Sequence, residues 1–217
     1  MPRLLFEKKG KSVWISHLDL MRLFQRAFKR AGMPLTHTHG FNPRASVSIA
    51  LPLSVGVESN CELLDFELTV DSVSCEEIKE RLNCALVDGV KVLAVYPHGR
   101  KLRELTHLQC EVKLKYNNLP ANAEIKIAEL FKSESIILSK KTKSGVVEQD
   151  IIPMIDNIAV NMQENTVLLS ARICCQNPTL NPMQLVAAVE KYLPELTPDF
   201  YSCVRTEIYD NHGVIFR

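Results

Sequence analysis

The chain has 217 residues, 46% of them hydrophobic, with a formal net charge of +1 and seven cysteines. That length suits one large domain or two small ones, and a chain of this size buries roughly 70% of the surface its unfolded form exposes. No run of eighteen apolar residues is present, which excludes a membrane-spanning helix, and the odd, irregularly spaced cysteines suit reduced cytoplasmic thiols rather than a disulfide framework.

Residues 3–7 and 12–15 read as a strand and its continuation, joined through residues 8–11. The opening segment meets Glu7 too early for a secretory apolar region. Ser16 is then an N-cap, with Asp19 three positions on completing a capping box; such a cap contributes about 1 kcal/mol. Apolar residues at 20, 21, 24, 27, 28 and 31 recur at helical spacing, and Gly32 followed by Pro34 stops the helix. An extended segment over 46–53 follows, then a strand over 62–70, a helix over 75–86 capped by Ser74, and a strand over 90–96.

Residues 98–105 (HGRKLREL) predict a basic linker. Beyond it, residues 108–116 alternate apolar and polar as a half-buried strand, and 123–132 suit a short helix. Strands over 136–141 and 146–151 flank Thr142-Lys143-Ser144-Gly145, a hairpin signature whose lysines (Lys140, Lys141, Lys143) suit edge protection. A second strand pair, 158–163 and 166–174, turns at Glu164-Asn165. Asn181 caps a last helix that has Pro182 at its first position and runs to about 193, and 203–209 closes as a strand in which Arg205 and Glu207 share a face. Both halves thus follow the order βαββαβ, the second with an inserted hairpin. The predicted fold is α+β: two tandem ferredoxin-like units, 1–97 and 106–217, each an antiparallel sheet with helices on one face.

The charge is unevenly placed. Residues 1–50 hold nine Lys and Arg against Glu7 and Asp19, a local net charge of +7, so the other 167 residues carry −6. A basic segment on a near-neutral protein points to a localised anionic partner; the plainer alternative is a solvated basic surface. On the first helix Arg22, Arg26, Lys29 and Arg30 fall at i, i+4, i+7 and i+8, one stripe opposite the apolar face. Guanidinium forks match phosphate oxygens in bidentate fashion.

His17 opens that helix, where an imidazole suits general acid–base work, and it is the only catalytic candidate; the blander role is a hydrogen bond to the preceding loop. His37 and His39 share a face if extended, but no third ligand stands at recognisable spacing, so no metal is assigned. In Gly40-Phe41-Asn42-Pro43, Gly40 permits positive φ and Pro43 holds Asn42 extended, with Arg44 next in line. Phe41 is either a core plug, the commoner fate, or an exposed platform for a base.

The string SHLDLMRLFQRAFKRAG (16–32), with GFNP (40–43) and LPLSVGVES (51–59), resembles the bacterial radical-SAM-linked family of unknown function. KTKSG (141–145), DIIP (150–153) and RTE (205–207) also look like that family's pattern; Ala45, Ser46 and Ile152 depart from it. Members are small proteins or C-terminal domains associated with radical SAM enzymes. The resemblance therefore implies an accessory module whose enzyme partner is encoded separately. The chain's own cysteines do not form the CxxxCxxC spacing that holds a 4Fe–4S cluster, so no radical SAM chemistry and no cofactor are expected of it.

Three functions stand open. One is a cytoplasmic RNA-binding accessory of a radical SAM enzyme, acting on tRNA or rRNA through Ser16, His17, Asp19, Arg22, Arg26, Lys29 and Arg30 with the loop Phe41, Asn42 and Arg44. A second is a module that docks on the enzyme through the capped helix and the GFNP and LPLSVG loops without touching RNA. The third is a metal-independent nuclease or transferase using His17, for which only Asp19 offers a titratable neighbour.

Overall fold

The computed structural model describes residues 1–39, 41–70, 73–142 and 145–217. It is a mixed α/β chain with mostly antiparallel strand pairing, and it divides into one unit of Met1–Glu104 with Phe216–Arg217 and another of Leu105–Ile215. Within residues 98–105, a 3-10 turn at Leu102–Glu104 precedes a strand that starts at Leu105.

The first unit contains β1 (Arg3–Lys8), a 3-10 turn (Gly10–Trp14), α1 (His17–Arg30), β2 (Val47–Ile49), β3 (Glu58–Phe66), α2 (Cys75–Ala85) and β4 (Val90–Tyr96). Its strands lie in the order β4-β1-β3-β2, antiparallel throughout. Leu20, Phe24, Ala27 and Phe28 of α1 pack with Leu4 and Phe6 of β1 and with Leu64 and Phe66 of β3. Phe6 meets Phe24 edge-on at 4.8 Å between centroids, and Phe28 lies 5.0 Å from Phe66. Each such buried side chain contributes about 1.5–3 kcal/mol. Asn83 fastens α2 to β4 by donating to the Val92 carbonyl at 3.0 Å and accepting the Val92 N–H at 2.8 Å.

Two sequence expectations fail here for tertiary reasons. Residues 12–15 are not strand, because Gly10 at φ 57° turns the chain and the Lys8 ammonium holds the turned segment. The strand expected over 62–70 is Glu58–Phe66 instead, since it pairs from Lys8↔Ser59 to Arg3↔Asp65 and then leaves β1. Past Phe66 the chain turns to the segment after α1, where Thr36 N–H donates to the Glu67 carbonyl. Of the extended segment over 46–53, only β2 is strand.

The second unit contains β5 (Leu105–Lys115), α3 (Ala123–Leu130), β6 (Ile137–Thr142), β7 (Gly145–Asp150), β8 (Ile155–Gln163), β9 (Thr166–Cys174), α4 (Met183–Tyr192) and β10 (Phe200–Asp210). Its sheet runs β10-β5-β9-β8, and β6 pairs with β7 as a separate ribbon. Leu108, Cys110, Val112 and Leu114 of β5 turn one face to the core, as period-2 patterning requires. Asn181 Oδ1 accepts the Met183 N–H at 3.0 Å while Gln184 Oε1 accepts the Asn181 N–H, a reciprocal helix start. Arg205 and Glu207 do not share a face, because β10 bulges between them. At the ribbon, Lys140 donates to the Thr179 carbonyl at 3.4 Å, whereas Lys143 and Ser144 lie outside the described residues. Among the described residues, no helix is long and apolar enough to cross a membrane.

Candidate functional site

The start of α1 is a chain of local bonds. Ser16 Oγ accepts the Asp19 N–H at 3.2 Å and donates to Asp19 Oδ2 at 2.7 Å, while Arg22 Nη1 donates to Asp19 Oδ1 at 3.0 Å. The Ser16 hydroxyl, and then Arg22, hold the Asp19 carboxyl below its ordinary 3.8. Ahead of the cap, the buried Lys8 donates from Nζ to the carbonyls of Val13 at 3.1 Å and Ile15 at 2.9 Å. Burial pulls its pKa below 10.5, and Glu62 opposes that shift.

From this start, Arg22, Arg26 and Arg30 follow at intervals of four residues, about 6 Å of helix rise each. They line one open groove of about 450 Å³ together with Asp19, and its remaining lining is the apolar Ile15, Leu23 and Val87. Arg30 Nη2 also donates to the Ala85 carbonyl at 2.6 Å, at the C-terminal end of α2. Terminal carbonyls lack helical partners and carry the negative end of the dipole, so this cation suits the position. The groove is therefore a row of cations whose inner member is braced by a neighbouring helix. With Asp19 paired to Arg22, the lining holds three guanidinium groups against one carboxylate, a net positive surface of forked donors.

The structure brings Asp19, Arg22, Arg26 and Arg30 together and leaves the other predicted residues outside. Ser16 serves as the cap, His17 is half-buried at the first helical position, and exposed Lys29 does not line the groove. Thr38 and Arg44 are tied together: Thr38 N–H donates to the Arg44 carbonyl at 2.8 Å, and Arg44 N–H to Thr38 Oγ1 at 3.0 Å. Phe41 is fully exposed, so the core-plug expectation is wrong; it lies in sequence between two residues bonded to each other rather than to the core. Asn42 and Arg44 are exposed on the same loop, and Gly40 lies outside the described residues. His37 and His39 are exposed, and among the described residues no group of three or more His, Cys, Asp or Glu is placed to hold a metal ion.

Sequence reasoning missed Ile15, Leu23 and Val87, and it missed Trp14. Trp14 is 72% exposed. A lone tryptophan two residues ahead of a helix cap was the available signal. Elsewhere the thiols of Cys175 and Cys203 are pushed up to about 12 by burial, so they stay protonated at neutral pH and are poor nucleophiles. The second unit has an open cavity of about 400 Å³ lined by His107, Arg172 and His212 among others. There Arg172 is already bound to Asp156 and lies over Tyr209.

Against known proteins, a family model described as uncharacterized protein conserved in bacteria (DUF2344) matches residues 2–182. No curated protein matches the chain. Among solved structures, a chain from a crystal structure of a Cbf5–Nop10–Gar1 complex is similar at a TM-score of 0.51 and 10% identity, over 95% of this chain and 48% of that one. This chain thus spans about half the length of that structure's chain. An unknown protein from Galdieria sulphuraria aligns at a TM-score of 0.27 and 11% identity, over 94% of this chain and 96% of that one. The first likeness concerns the fold alone, and the second carries no argument.

Proposed function

We propose that this chain, which belongs to the family DUF2344 of uncharacterized bacterial proteins, is a non-catalytic accessory of a separately encoded radical SAM enzyme and binds RNA along α1. One observation carries the RNA part: Arg22, Arg26 and Arg30 line a single open groove at a spacing of the same order as that of successive phosphates on an extended strand. The radical SAM part rests on the resemblance of SHLDLMR and GFNP to the radical-SAM-linked family. Exposed Phe41 and Arg44 support a second contact from the GFNP loop. The fold reading behind it, tandem ferredoxin-like units, is supported by the strand order within each unit, fourth, first, third, second, once the β6–β7 ribbon of the second unit is set aside.

The test is binding of fluorescent tRNA and short RNA, by anisotropy at two salt concentrations. Each phosphate contact on a single strand steepens the log–log salt slope by about 0.7. The double variant Arg22→Glu/Arg26→Glu then loses about 1.4 of slope as well as affinity. Absence of binding at low salt overturns the RNA reading and leaves docking on the enzyme partner.

A further inference from the structure

We propose that Trp14 is a base-stacking platform at the N-terminal end of this groove, so that the ligand is single-stranded RNA rather than a duplex; this rests on the RNA-binding reading above. Trp14 is the chain's one tryptophan, and tryptophan is normally well buried. Here its exposure is built. Lys8 holds the carbonyls of Val13 and Ile15 on either side of it, and Gly56 N–H donates to the Val13 carbonyl at 3.0 Å. The six-membered edge of the indole lies against Gly56: a Cβ there would stand 3.5 Å from it. One edge of the ring thus lies against the Gly56 backbone while most of the residue is open to solvent.

Trp14 stands directly before the groove in sequence. Ile15, the next residue, lines the groove, and α1 with its arginine row begins two residues later. Leu18 on the first turn of α1 and Val55, next to Gly56 in sequence, are also exposed apolar residues. An aromatic platform joined to a row of cations is the pairing by which proteins hold single strands, cations tracking phosphates and the ring accepting a base. A duplex offers phosphates to the same row but keeps its base faces stacked inside, so the exposed ring has no use on it.

The experiment uses the full chain with a short oligouridylate and an RNA hairpin of equal length. Trp14 is the only indole present, so its fluorescence reports stacking directly. Expected are quenching by the single strand, tighter binding of it than of the hairpin, and a loss of roughly 5- to 150-fold in affinity for Trp14→Ala. Trp14→Phe retains most of the affinity, and both variants keep the wild-type salt slope, because stacking releases no counterions. Wild-type affinity in Trp14→Ala with an intact, arginine-dependent slope overturns this inference and leaves the RNA reading standing. Equal binding of hairpin and single strand overturns it as well. No binding of either RNA overturns both.

Discussion

The Lys8 ammonium donates to the Ile15 carbonyl at 2.9 Å, linking the end of β1 to the residue just ahead of the α1 cap. With its bond to Val13, this contact holds the turn that displays Trp14. Lys8→Met keeps the packing stem and removes both bonds. It is expected to destabilise the chain by about 1–3 kcal/mol, read as a lower urea midpoint at unchanged slope, and to shift Trp14 emission. A variant as stable as the wild type would mean that the desolvation cost of the buried charge equals what its bonds return.

Gly56 combines φ 84° with contact to the indole edge. Gly56→Ala adds a Cβ at ordinary contact distance, so its cost comes from the backbone, about 1–2 kcal/mol for an L-residue held left-handed. Thermal unfolding checks the size, and near-ultraviolet circular dichroism checks the Trp14 environment.

Two phenylalanines of the first unit lie at opposite extremes. Phe24 is fully buried against Phe6, and Phe24→Ala is expected to cost about 3–5 kcal/mol. Phe41 is fully exposed, so Phe41→Ala changes stability by less than about 0.5 kcal/mol. A drop in RNA affinity for Phe41→Ala at unchanged stability would assign the GFNP loop to the interface.

Acid lability has identifiable sources. Asp19 lies below its ordinary 3.8 through Ser16 and then Arg22, and Asp150 through the backbone N–H of Ile136 and then of Ile152. A carboxyl whose folded pKa is depressed stabilises the fold fully above the unfolded value and loses that contribution as pH falls through the folded one. Urea midpoints therefore fall as pH drops below 3.8, and Asp150→Asn has a shallower fall than the wild type.

Part of the fold is encoded locally. The Ser16 cap and the Phe24–Phe28 face depend on residues within a few positions of one another, so helix spacing and cap chemistry reveal them. Strand alternation in β5 is equally local. The exposure of Phe41 is not legible in the sequence, because periodicity does not say whether a turn residue points inward; the Thr38–Arg44 bonds joining residues on either side of it are a tertiary feature.

By itself, then, the sequence determined the helices, the alternating strands and the basic stripe, all products of short-range pattern and backbone preference. The tertiary structure alone decided the rest. The turn at Gly10–Trp14 exists because a buried lysine from β1 reaches back to it and because Lys9 N–H donates to the Gly89 carbonyl. The start of β3 at Glu58 follows from its register on β1. The groove needs Val87, far along the chain, beside Arg26 and Arg30. Such long-range contacts form only when packing of the whole core outweighs the entropy of closing the loops between them.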